Sequence, residues 1–184
     1  GTTLIEAALM NRQIIANDVN PLSKILTQPR LKIPTIKEVQ ERLDQIKFIV
    51  QRADIDLSMF FHMDTELEIV SLKNNLEDNS IDNWIRMVST NRLTGHSAGF
   101  FSGYTLPPNQ AASQRRQKLI NNRLGIVPPY KNTKDIIIKK SKSLMRNISS
   151  ELSRRLDTVS STAIFSSVDS RKTSHINSDS VHLT

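Results

Sequence analysis

The 184 residues suffice for one domain with a hydrophobic core, and with 38% hydrophobic residues no apolar run approaches the ~20 residues of a membrane span. Cys is absent, which excludes a disulfide framework or a thiolate metal site. The net charge of +7 is uneven: residues 110–146 hold ten Lys and Arg against Asp135 alone, which suits either a polyanionic partner or a solvated helix face.

Residues 2–10 read as a helix, with Leu4, Ile5, Ala8 and Leu9 on one stripe. They lack the basic region of a secretory leader. "QIIANDV" (13–19) is short, β-branched and bounded by polar residues, so a buried strand is expected. Asn20-Pro21 ends that strand and opens a helix with Pro21 at its first position. Pro29 and Pro34 mark a linker. Thr35 and Glu38 then form a capping box for a helix carrying Ile36, Val39, Leu43, Ile46 and Val50. Asp64 and Ser80 are candidate caps for two more helices, the second carrying Ile81, Trp84, Ile85 and Val88.

"NRLTGHSAGFFSGYTLPPNQ" (91–110) concentrates three of the five glycines, two prolines, Phe100, Phe101 and Tyr104. Long loops with this make-up are usually functional, and its glycines allow movement. "GIVPPYKN" (125–132) is a second such loop. A long helix is expected from Thr133 past Leu152, burying Ile137, Leu144, Ile148 and Leu152. "AIFSSV" (163–168) and "VHLT" (181–184) have strand character. Strand–helix alternation at both ends implies an α/β fold around a parallel sheet, with a large, mostly helical middle.

In a doubly wound fold a glycine-rich turn after the first strand opens a helix. An acidic residue ending the second strand, roughly 20 residues on, accepts from ribose hydroxyls. Gly1 precedes the first helix here, and Asp18 ends the next strand seventeen positions later. "GTTLIEAAL" followed by "NDVNPLS" resembles the cofactor motifs of the amino-methylating DNA methyltransferases, the N4-cytosine and N6-adenine group. Those enzymes carry an Asp-Pro-Phe-x-Gly-Ser-Gly-Thr-Thr turn and then a strand ending in Asp-x-Asn-Pro. Gly1, Thr2 and Thr3 match the end of the first motif; Asp18, Asn20 and Pro21 match the second. "VDSRKTSHINSDSVHLT" resembles the approach to the same family's catalytic Ser/Asp-Pro-Pro-Tyr/Phe tetrad, which is expected just after Thr184.

The resemblance implies a partial Rossmann-like methyltransferase fold that uses S-adenosylmethionine. Residues 1–33 start the core, 34–160 form a helical insertion facing the target, and 161–184 return to the core. Gly1, Thr2 and Thr3 are then expected against the methionine part of the cofactor, where helix N–H groups face its carboxylate. Asp18 is expected on the ribose diol, Asn20 in the loop near the adenosine, and Asp169 and Ser170 near the adenine amine. Arg92, Arg115, Arg116, Lys118 and Lys131 are candidate phosphate contacts, and Tyr104 a candidate base contact.

The implied partners are DNA, a restriction endonuclease and the rest of a longer chain, in a nucleoid-associated cytoplasmic setting. The 184 residues alone are expected to be inactive, since the tetrad that holds the base is not among them. An RNA base-amine methyltransferase is an alternative, because Ile5-Glu6-Ala7-Ala8 fits some of those enzymes. A non-enzymatic helical module binding nucleic acid through residues 110–146 is another. His62, His96, His175 and His182 lack metal-ligand spacing, so no metal is expected.

Overall fold

The computed structural model describes residues 2–93, 98–106, 110–174 and 176–181. It is mixed α/β and mostly helical, with eight α-helices among the described residues. None of these helices is long and apolar enough to cross a membrane. The chain divides into two compact units, one of Gly1–Lys32 with Ser149–Thr184 and one of Ile33–Ile148.

The first unit contains α1 (Thr2–Leu9), β1 (Ile15–Asn17), α2 (Pro21–Thr27), a 3-10 turn (Gln28–Leu31), α8 (Ser150–Thr162) and β4 (Ile164–Ser166). α1 ends where Asn11 adopts a left-handed φ of 56°, a conformation Asn tolerates better than most residues. Asn20 caps α2, its side chain accepting from Leu22 N at 3.0 Å, and Pro21 begins the helix as the sequence implies. β1 and β4 pair in parallel, Ile15 opposite Ile164 and Asn17 opposite Ser166. α8 packs on α1 and on the 3-10 turn. Among the described residues of this unit, Ala8, Ile14, Pro29, Leu31, Leu156 and Val159 are buried. Residues 149–160, expected with the helical middle, therefore form most of a helix of the terminal unit.

The second unit contains α3 (Ile36–Gln45), α4 (Met63–Asn75), α5 (Ser80–Leu93), the hairpin β2 (Thr105–Leu106) and β3 (Gln110–Ala111), α6 (Gln114–Leu124) and α7 (Thr133–Met145). α3 starts on the expected capping box: Thr35 Oγ1 accepts from Glu38 N at 3.2 Å, and Glu38 Oε2 accepts from Thr35 N at 2.7 Å. α3, α5 and α7 pack on one another around Val39, Leu43, Trp84, Ile85, Val88 and Ile137.

Four local expectations are corrected. α3 stops at Gln45 rather than reaching Val50, which is 85% exposed. The chain beyond it is held by side chains of α4: Ser71 Oγ accepts from Ile49 N at 2.8 Å, and buried Glu66 accepts from Ala53 N and from the Arg52 guanidinium. Backbone groups satisfied in this way need no helix. The cap of α4 is His62, whose Nδ1 accepts from Asp64 N at 3.2 Å, so Asp64 lies in the first turn. At α5 the accepting side chain is Asn79, which takes the Asp82 N–H at 2.9 Å, one residue before Ser80. The long helix from Thr133 breaks after Met145, and Ser149 recaps the chain by accepting from Leu152 N at 3.1 Å. Within the expected segment 181–184 only Val181 is described, and it is not in a strand.

Candidate functional site

The parallel strands β1 and β4 bring two distant loops to one edge. Open parallel sheets bind ligands at the carboxyl ends of their strands, and both β1 and β4 end here. The ladder continues one step past β1, with Asp18 N donating to Ser166 O at 3.3 Å. The Asn17 side chain then ties the two loops together. Its Oδ1 accepts from Ser166 Oγ at 2.9 Å and from Val168 N at 3.1 Å, and its Nδ2 donates to Val168 O at 3.0 Å. The sequence reading passed over Asn17; a polar side chain at the last position of an apolar strand was the available signal.

Asp18 is exposed just beyond β1. Oδ1 accepts from Asn20 N at 2.9 Å, and Oδ2 accepts from Ser23 Oγ. These two bonds, Ser23 first, hold the carboxyl below its ordinary value, so it is anionic at neutral pH. Each oxygen keeps acceptor capacity for an incoming hydroxyl. Asp169 lies three residues past β4 and accepts from Arg171, with Nη2 at 2.6 Å from Oδ2 and Nε at 3.0 Å from Oδ1. That pairing likewise lowers its pKa. Ser170 is exposed beside it. Thr2 and Thr3 are exposed in the first turn of α1, while Gly1 lies outside the described residues.

The expected nucleic-acid residues all belong to the second unit, and the structure divides them. The Lys131 ammonium is half-buried and donates to Phe101 O at 2.6 Å; desolvation lowers its pKa. Lys118 forms an ion pair with Asp56 at 2.7 Å, and that contact holds the Asp56 carboxyl far below the usual range. Arg92 is half-buried, with Nη1 3.5 Å from Ala98 O. Tyr104 is 49% exposed while its backbone N–H donates to Gln117 Oε1 at 2.7 Å. Arg115 and Arg116 extend from α6 into solvent.

The described part of the aromatic loop packs tightly. Phe100 is fully buried, and the Phe101 ring stacks on Phe60 with centroids 5.2 Å apart. A Cβ on Gly99 would come within 2.6 Å of Arg92 O, and one on Gly103 within 2.5 Å of the Phe101 ring. These two glycines serve close approach rather than the expected loop movement; Gly95 lies outside the described residues.

Among the described residues no three His, Asp or Glu side chains gather as a metal site. His96, His175 and His182 lie outside them. No protein-family model, curated protein or solved structure matches the chain.

Proposed function

We propose that this chain is the cofactor-binding and DNA-facing part of an S-adenosylmethionine-dependent methyltransferase acting on an exocyclic amine of cytosine or adenine in DNA. The supporting observation is the parallel β1/β4 pair, with an aspartate following the carboxyl end of each strand and Asn17 joining the two loops. In this reading the pair is part of a Rossmann-like sheet, in which an adenosine is held at the carboxyl ends of the strands. Two carboxylates, both ionised, fit a ligand whose ribose and adenine present hydroxyl and amine donors.

In this reading Asp18 accepts from the ribose diol with the acceptor capacity that its bonds from Asn20 N and Ser23 Oγ leave open. Asp169, steadied by Arg171, accepts from the adenine amine. Thr2 and Thr3 open α1, whose free N–H groups suit the methionine carboxylate. The bound cofactor supplies an electrophilic methyl group on a sulfonium. Binding and orientation are what this chain contributes to the transfer.

Calorimetric titration with S-adenosylhomocysteine tests the reading. Asp18→Ala weakens binding by about 10–100-fold, as expected for a lost charged hydrogen bond, and Asp18→Asn less. Ser23→Ala removes the carboxylate's local partner and leaves affinity near wild type. Equal affinity of wild type and Asp18→Ala, with equal thermal melts, overturns the cofactor role. An equal loss in Ser23→Ala makes Asp18 a turn residue instead.

A further inference from the structure

α6 is turned inside out. Its buried side chains are amides: Gln117 Oε1 accepts from Tyr104 N at 2.7 Å, and Gln117 Nε2 donates to Asn121 Oδ1 at 2.7 Å. Asn121 Nδ2 in turn donates to Met59 O at 2.9 Å. A fully satisfied polar network fixes the rotation of the helix without apolar contacts. At 3.6 residues per turn, the opposite face carries Arg115, Arg116, Leu119, Asn122 and Arg123, all of them exposed. Leu119 sits in the middle of that face at 62% exposure. α6 has no acidic residue. Among the described residues the side chains of Arg115, Arg116, Asn122 and Arg123 have no partner, whereas Lys118, off to the side, is taken by Asp56.

We infer that α6 lies in the major groove of duplex DNA and reads base edges, Asn122 and the three arginines by hydrogen bonds and Leu119 by contact with a thymine methyl. The inference rests on the methyltransferase reading only for the choice of DNA as partner. Three features favour a reading helix over a solvated basic face. The cations are arginines, whose fork matches the O6 and N7 of guanine, and the amide of Asn122 matches the N6 and N7 of adenine. An apolar side chain at the centre gains nothing from phosphates and gains from a base methyl. The ends are sharp: Ser113 caps the helix start by accepting from Arg116 N, and Gly125 ends it at a left-handed φ of 62°. An 11-residue helix is about 16 Å long and ~10–12 Å across, which the major groove admits.

The test uses the full 184-residue chain and a fluorescently labelled duplex library with a randomised core of about two helical turns. Selection and sequencing read base preference, and anisotropy at several salt concentrations reads phosphate contacts. Wild type enriches a motif. Asn122→Ala loses about 5–150-fold of the preference at one base position, with the salt dependence unchanged. Arg115→Ala relaxes a different position. These side chains are exposed and unpartnered, so the variants fold, as a melt verifies.

Salt-dependent binding with no enriched motif, or an equal loss for all sequences in Asn122→Ala, overturns base reading and leaves α6 a phosphate contact. Preference for structured RNA over duplex DNA overturns the choice of partner. Absence of duplex binding at low salt overturns the α6 inference altogether, while the cofactor titration of Asp18 variants still decides the methyltransferase reading.

Discussion

Asn17→Ala is the most direct perturbation of the edge where β1 and β4 end. It removes three hydrogen bonds, from Ser166 Oγ, from Val168 N and to Val168 O. Each is partly open to solvent, so water recovers some of the loss. At ~0.5–1.5 kcal/mol per bond, the net cost is about 1–3 kcal/mol. The Val168 amide loses its acceptor outright, so its hydrogen-exchange protection falls by about tenfold to a hundredfold, with urea melts giving the global change. Asn17→Asp separates the bonds. It keeps both acceptor roles of Oδ1 but turns the donor into an oxygen facing Val168 O. The loss in Asn17→Asp relative to wild type therefore reports the bond from Nδ2 to Val168 O, and the further loss in Asn17→Ala reports the two bonds to Oδ1. If Val168 is equally protected in wild type and Asn17→Ala, the side chain does not join the two loops, and the argument for one shared edge fails.

Asp82 is fully buried and joins three segments, accepting from Arg42 Nε at 2.7 Å, Arg42 Nη2 at 2.9 Å and Glu77 N at 2.8 Å. Asp82→Ala strands the Arg42 charge and costs about 3–5 kcal/mol, read by denaturant melts. Burial pushes the Asp82 carboxyl up, but these hydrogen bonds outweigh it and leave the pKa below 3.8. The stability it contributes is complete above that value and is lost as pH falls through the depressed folded pKa; a pH series of melts shows this in wild type and not in Asp82→Ala. Gly125→Ala costs about 1 kcal/mol because φ is 62° there, although a Cβ would meet nothing within 4 Å. Gly125→Asn costs less, and equal melts for both variants would remove conformational strain as the reason for glycine.

The polar network of α6 explains why that helix escaped the sequence reading. Periodicity finds helices by their apolar stripe, and here the buried stripe is Gln117 and Asn121 while Leu119 faces water. The break between α7 and α8 was hidden for the opposite reason. Ile137, Leu144, Ile148 and Leu152 continue at helical spacing across it, and only the bond from Leu152 N to Ser149 Oγ marks the restart. In the candidate site, Asp18 and Asn20 stood out because a strand end and a helix start have local signatures, while Asp169 came from the family resemblance. Asn17 did not stand out, because its partners lie 149–151 residues away in sequence.

By itself the sequence determined what is settled within a turn of chain, the Asn20-Pro21 helix start and the Thr35/Glu38 capping box, whereas the strand expected to be buried at 13–19 is half-exposed over Ile15–Asn17. In both helix starts the donor and acceptor are a few residues apart, so residue type and spacing are enough. Tertiary structure alone decided that β1 pairs with β4, that α8 belongs to the terminal unit, and that Glu66 and Asp82 are buried. Those outcomes depend on which surfaces meet after distant segments are closed on one another. A carboxylate enters a core only when an arginine from another element arrives to pair with it, and no local pattern records that meeting.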